Sequence, residues 1–335
     1  MYIFSIFFIL FIGLRYEVGG DWINYEYMYN NQYFFNQLFD SIAKLDFKNF
    51  LITLNQINLG FDTFTSISRT LNLGLYGLNI LNASILIFGL YFYTKNKNNQ
   101  ILIYLISFPI LIIIVGMGYT RQASALGLLF ISIKFIENGQ IKRSIIFLIL
   151  AFLFHKTVLV FSVVYLFYFK KINVFMLIFI IFIGSFLYIF YFGKQINHII
   201  YYYLGAGNDF ISIGALPRTS LYFIASIIFL LNSKKFVNDK YSLKLYSSIS
   251  IIIIFMFPIV IIFSTALDRI LIYFFVIQLL VFSQVSNFFK SYKNKYLINV
   301  LVGLFFLSIM FVWLYFGKYS NHWIPYQNYL FLKHD

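Results

Sequence analysis

The 335 residues include no cysteine and only four prolines, and 11% of them are charged. Without cysteine there is no disulfide framework and no thiolate metal site, and the redox compartment cannot be read from the chain. The charged share is far below the roughly 25% of soluble domains, so a water-soluble core-and-shell protein is excluded. Nucleotide and metal motifs are missing too: there is no Walker loop, no Gly-x-Gly-x-x-Gly turn and no His-Glu-x-x-His helix. The four histidines, His155, His198, His322 and His334, have no metal-ligand spacing. No metal and no other cofactor is expected.

The chain is 61% hydrophobic, in runs that only transmembrane helices accommodate. The expected fold is therefore all-α, a polytopic integral membrane protein of one domain spanning 1–335. Apolar runs are expected at Met1–Leu14, Tyr76–Tyr93, Ile101–Gly118, Gln122–Ile136, Ser144–Phe154, Thr157–Phe169, Ile172–Phe192, Thr219–Leu231, Leu245–Ser264, Ile270–Val285 and Tyr296–Phe316, about eleven crossings. Ser144–Phe154 and Thr157–Phe169 are too short to cross upright and read as tilted, broken or re-entrant. The first run has no basic flank and no small-residue cleavage site, so it reads as a first helix rather than a signal peptide. Between 30 and 72 the spacing of Phe34, Phe35, Leu38, Phe39, Ile42 and Leu45 predicts amphipathic helices on the membrane surface, with a folded external loop as the equal alternative.

The net charge of +14 is a topology signal here, not a nucleic-acid footprint. The polar breaks alternate between two kinds. One is rich in lysine: Lys95 and Lys97, Lys142 and Arg143, Lys170 and Lys171, Lys234 to Lys244, Lys290 to Lys295. The other holds five of the six arginines and most of the acids: Arg15, Glu17, Asp21, Glu26, Asp40, Asp46, Asp62, Arg69, Arg121, Asp209, Arg218, Asp268 and Arg269. Positive-inside bias makes the lysine set cytoplasmic, with the N-terminus inside and the arginines at the outer face. Orientation does not call for arginine there. A guanidinium fork suits a phosphate or diphosphate bidentately, although a single such arginine more often snorkels or pairs locally.

Other groups stand out by position. His155-Lys156 interrupts two apolar half-spans, and ionisable groups at such boundaries are functional candidates; histidine can also act as a base near neutral pH. Asp268 reads first as the N-cap of a following helix and second as a catalytic carboxylate. The aromatic cluster Trp323 to Tyr329 reads first as an interfacial belt.

Taken in order, Gly13-Leu14-Arg15-Tyr16-Glu17-Val18-Gly19-Gly20-Asp21 with Tyr25, then Arg121-Gln122, Phe154-His155-Lys156-Thr157, Asp268-Arg269 with Tyr273, and Pro325-Tyr326 resemble the motifs of EpsG-like, Wzy-type polysaccharide polymerases. The resemblance covers essentially the whole chain. It implies a GT-C-like membrane glycosyltransferase of the bacterial inner membrane, used in O-antigen, capsule or exopolysaccharide synthesis and working at the outer face. Donor and acceptor would be oligosaccharides on undecaprenyl diphosphate. The bilayer, a chain-length regulator and a flippase of the same pathway are the expected partners, and nucleic acid is not. On that reading Arg121, Arg218 and Arg269, with Arg15, hold diphosphate. Tyr25, Gln122, Tyr273 and Tyr326 also contact substrate, and His155, Asp21 and Asp268 are the candidate catalytic groups. A lipid-linked oligosaccharide flippase or transporter and an O-antigen ligase are the alternatives.

Overall fold

The computed structural model describes residues 2–31, 34–47, 49, 58–166, 212, 214–261 and 263–331. The run expected at Ile172–Phe192 and Asp209 lie outside them. The described residues are helical throughout, in fourteen α-helices joined by short 3-10 and π segments. In chain order they are α1 (Tyr2–Gly13), α2 (Trp22–Asn31), α3 (Phe34–Ala43), α4 (Leu59–Thr70), α5 (Gly74–Thr94), α6 (Gln100–Ser107, continued as a π-helix over Phe108–Gly116), α7 (Thr120–Glu137), α8 (Ile141–Phe154), α9 (Val163–Leu166), α10 (Ala215–Phe236), α11 (Lys240–Met256), α12 (Ser264–Leu271), α13 (Val276–Gln284) and α14 (Tyr292–Phe316).

Among the described residues, four helical stretches are long and apolar enough to cross a membrane: Gly74–Thr94, Ala215–Phe236, Lys240–Ile261 and Tyr292–Phe316. A fifth arises if Ser264–Phe274 and Val276–Phe288, bent by 61° at their junction, form one broken span. Tyr2–Gly13, Gln100–Gly116 and Lys156–Leu166 are apolar but shorter. This is the architecture of a multi-pass membrane protein. Local chemistry explains several boundaries. Pro258 lacks an amide proton and cannot donate to the carbonyl one turn back, so α11 stops at Met256 and the chain tightens into a 3-10 turn. At the end of α7, Gly139 takes φ +71°, and the Gly139 and Gln140 N–H groups bond back to the Ile136 and Phe135 carbonyls in a Schellman cap. Asp239 starts α11 by accepting the Ser242 N–H at 2.7 Å.

The centre of the molecule is the crossing of α5 on α7. A Cβ added at Gly89 would lie 1.9 Å from the Gly127 carbonyl oxygen, so the two backbones touch with no side chain between them. Along the same seam Ser124 donates to Asn82 Oδ1 at 2.6 Å. Above and below, Leu86, Leu90, Leu126, Leu129, Phe130 and Ile133 are buried and belong to one apolar cluster that runs through the helices.

The elements bring the two kinds of polar break to opposite ends of these helices. Arg15, Asp21, Arg121, His155, Arg218 and Arg269 lie at the ends of α1, α2, α7, α8, α10 and α12, and we call this the arginine end. The lysine end carries Lys97, Lys134 and Glu137, with Asp239 at the start of α11. Within the 30–72 segment, α3 and α4 are helices. The buried face of α4 carries Phe61, Asp62, Thr65 and Ser68, so polar groups turn inward there.

Candidate functional site

The arginine end sorts into a buried frame and a set of side chains that reach the open side. Arg15 belongs to the frame. It is 1% exposed, and its guanidinium donates to the Ile12 carbonyl at 2.7 Å, the Val18 carbonyl at 3.1 Å, Thr120 Oγ1 at 2.9 Å and Asn79 Oδ1 at 3.3 Å. Its carbon lies over the Trp22 ring at 5.7 Å. A guanidinium with its donors committed in this way ties α1, α5 and α7 together; it has little left for a ligand. The expectation that Arg15 holds diphosphate therefore gives way to a structural role.

Tyr25 and Tyr273 are also frame residues, 4% and 1% exposed. The Tyr25 hydroxyl accepts the Arg121 backbone N–H at 3.4 Å, and the Arg121 guanidinium lies over the Tyr25 ring at 5.9 Å. Gln122 spans from α7 to α12, donating to the Arg269 carbonyl at 2.8 Å. Tyr326 is set apart: its hydroxyl donates to the Phe11 carbonyl at 2.8 Å and accepts from Asn328 at 3.0 Å.

Asp268 corrects one expectation. It sits in the body of α12 and not at its start, where Phe263 is the boundary residue. Its two oxygens accept from Arg218 Nε at 3.0 Å and Nη2 at 2.6 Å, a bidentate ion pair of the strong kind. Arg218 Nη2 also donates to Ser212 at 3.1 Å. Arg218 and Asp268 thus neutralise one another across α10 and α12.

Arg121 and Arg269 are different. Among the described residues neither makes an ion pair, and the Arg121 Nε is buried without a hydrogen-bond partner. Arg269 lies over the Tyr119 ring at 5.2 Å. Both guanidiniums act on Asp21 and on His155. Burial raises the Asp21 carboxyl above its usual range while Arg269 and Arg121 pull it back. His155 is pushed down to about 4, first by burial and then by Arg121 and Arg269, so it is neutral at physiological pH. Its Nδ1 lies 2.7 Å from Thr157 Oγ1 and 3.1 Å from the Tyr273 hydroxyl, which themselves are 2.8 Å apart. A carboxylate from the turn before α2, a neutral imidazole from the α8–α9 junction, and two guanidiniums of α7 and α12 that have no described carboxylate at ion-pair distance therefore converge.

Three further residues, Asp62, Lys156 and Thr157, join them without having been marked as site residues in the sequence. Asp62 of α4 accepts the Asn58 N–H at 2.8 Å. Burial raises it to about 6 against the pull of that hydrogen bond and of Arg121 and Lys156. Lys156 is lowered by burial and by Arg121. The signal for Asp62 was there: it shares the buried face of α4 with Thr65 and Ser68, a polar stripe where an apolar one is the rule. The Thr157 hydroxyl, third partner of the His155–Tyr273 contact, is the last addition.

The C-terminal segment closes over this end. The Tyr16 N–H donates to the Gln327 carbonyl and the Tyr329 N–H to the Leu14 carbonyl, pairing Arg15 with Asn328 in an antiparallel bridge. Trp323, expected as an interfacial belt residue, is 5% exposed and donates its indole N–H to the Ile113 carbonyl at 2.9 Å.

Comparison with curated proteins and with solved structures gives no match. A family does match, over residues 1–328, and that stretch takes in every motif brought together at the arginine end. The chain belongs to the EpsG family, which is associated with exopolysaccharide biosynthesis.

Proposed function

We propose that the chain is the polymerase of a lipid-linked glycan, transferring the growing chain from undecaprenyl diphosphate to the next undecaprenyl-diphosphate-linked repeat unit. The observation that carries this reading is the convergence of Arg121 and Arg269, neither ion-paired among the described residues, on Asp21 and neutral His155. In the reaction an acceptor hydroxyl oxygen bonds to the donor's anomeric carbon, the bond from that carbon to the diphosphate oxygen breaks, and the hydroxyl proton leaves. Negative charge builds on the departing diphosphate. Two fixed guanidiniums aimed at it lower the barrier most, because they are oriented before the charge develops. The proton passes to a group of this chain. With Nδ1 donating to Thr157 or Tyr273, His155 presents Nε2 as the acceptor, and Asp21 is the second candidate. Arg218, with Asp268, sets the position of α10 against α12 beside this centre.

In this reading the short helices and the bent pair complete an eleven-crossing, GT-C-like arrangement with the arginine end at the outer face of the bacterial inner membrane. The lysine end is cytoplasmic. A chain-length regulator and a flippase of the pathway are the partners. The flippase reading is less well supported, since a layer of buried leucine, isoleucine and phenylalanine separates the two polar ends along the α5–α7 seam.

The test is elongation by the purified chain in vesicles, supplied with lipid-linked repeat units alone and read as a ladder on a gel. A ladder lost in Arg121→Ala and Arg269→Ala supports the assignment. Units that cross the bilayer unelongated would establish the flippase instead.

A further inference from the structure

The tail residue Trp323 touches both arms of the site. Its ring stands against Gly118, where an added Cβ would fall 2.5 Å from the indole, and against Gly20, where it would fall 3.3 Å away. Gly118 lies three residues before Arg121, and Gly20 directly precedes Asp21. The indole N–H is bonded to the Ile113 carbonyl inside the π-helix, and the adjacent His322 carbonyl accepts the Gly19 N–H at 2.8 Å. Behind it, Trp313 meets the ring edge-on at 5.0 Å between centroids, while Val18, Ile113 and Met117 complete a small apolar cluster separate from the main core. One side chain therefore fixes the turn that carries Asp21 and the strip of backbone that leads into Arg121. The fit depends on glycine at Gly118 and is tight at Gly20. Gly19 adds a third reason, with φ +113° and the Met117 carbonyl oxygen 2.2 Å from where its Cβ would be.

We propose that Trp323 is a positioning residue of the arginine site: it holds Asp21 and Arg121 in register with one another without touching substrate itself. The proposal rests on the polymerase reading only for its kinetic consequence. Trp323→Phe keeps a ring but orphans the Ile113 carbonyl, and Gly118→Ala keeps the tail but displaces the ring. Both arms survive intact in each variant and lose only their mutual placement. Since small misplacements at a reacting centre are costly, kcat should fall on the order of tenfold to a hundredfold. The concentration of repeat unit at half-saturation should stay within about twofold, because Arg121 and Arg269 are unchanged.

A second readout needs no activity. The absence of cysteine lets spin labels be placed at will, here at Ile23→Cys on α2 and Phe88→Cys on α5, both exposed positions. The distance distribution between them, measured on the full chain in nanodiscs, should broaden or shift in Trp323→Phe and in Gly118→Ala. Unchanged kcat, or an unchanged distance distribution in two folded variants, would overturn the proposal. If the native chain makes no polymer, the polymerase reading falls while the label distance still decides the role of Trp323. Should Trp323→Phe fail to fold, Gly118→Ala supplies both readouts.

Discussion

At the lysine end, the buried carboxylate is fully engaged. Glu137 Oε1 takes Lys97 at 2.6 Å and Oε2 takes Lys134 at 3.2 Å, and the Tyr246 hydroxyl donates to the same carboxylate at 2.6 Å while bonding Tyr93 at 2.9 Å. At the arginine end Arg121 and Arg269 have no carboxylate at ion-pair distance among the described residues, although Asp21 and Asp62 lie close enough to feel them. One end uses charge to hold helices together; the other keeps charge in reserve. Arg269 is exposed, but Arg121 is half-buried with its Nε unpartnered; unspent positive charge in such a place costs stability, and proteins keep it where a ligand completes it.

The contrast can be broken most severely at Arg121. Arg121→Lys keeps the charge but loses the planar fork, and elongation should fall by about 10²–10³-fold with the protein still folded, as read from the ladder assay. Near-normal polymer would place the diphosphate elsewhere. The opposite end should respond in the opposite currency. Glu137→Gln leaves Lys97, Lys134 and Tyr246 around a neutral group and should cost about 3 kcal/mol of stability. It should appear as a lowered thermal midpoint in detergent with the elongation rate per folded molecule intact. Arg218 and Asp268 sharpen the comparison from within the arginine end, as a pair that behaves like the lysine end. Arg218→Met alone should destabilise by about 2 kcal/mol, since Asp268 is left unpaired, and adding Asp268→Leu should recover most of that loss.

The smallest effect is a pH signature. Asp62 rises from 3.8 to about 6 on folding. Between those values the unfolded chain holds fewer protons, so this group makes stability fall as pH rises. His155 drops from 6.5 to about 4, so across that window the unfolded chain holds more protons and stability rises with pH. The two slopes oppose one another in the native chain. His155→Gln should therefore show a thermal midpoint that declines from pH 4 to 6, and Asp62→Asn one that climbs; parallel profiles for both variants would contradict the burial of these groups.

Much of this was legible in the chain. The alternation of lysine-rich and arginine-rich breaks sorted the polar residues to the two ends that the folded chain shows, because helices that cross in turn must place successive breaks on opposite sides. Arg121, Arg269 and Asp21 stood out for the same reason, and His155 because it interrupts two apolar half-spans. Partnerships were not legible. Asp268 and Arg218 are 50 residues apart, and nothing local says that one absorbs the other. Arg15 looked like its neighbours in composition, yet its burial depends on Asn79 and Thr120 from two distant helices. Glu137 went unremarked because an acid among lysines at a helix end looks ordinary. Most expected apolar runs were shorter than the helices that hold them, as Thr219–Leu231 is inside Ala215–Phe236, because polar end turns carry no hydropathy signal; nor does hydropathy register the 3-10 and π segments that interrupt several runs.

The glycine contact between α5 and α7 carries a last consequence. Where two backbones meet at Gly89 and Gly127 there is no side chain to rotate out of the way and no slack to take up. That crossing is a fixed datum, to which the start of the arginine end is tied through Arg15, Asn79 and Thr120. A protein whose proposed work is to release one long lipid-borne chain and accept another in each cycle must find its movement away from that datum. The junction of α12 and α13, where the helical axis turns by 61°, falls only a few residues after Arg269 and breaks the regular helix there.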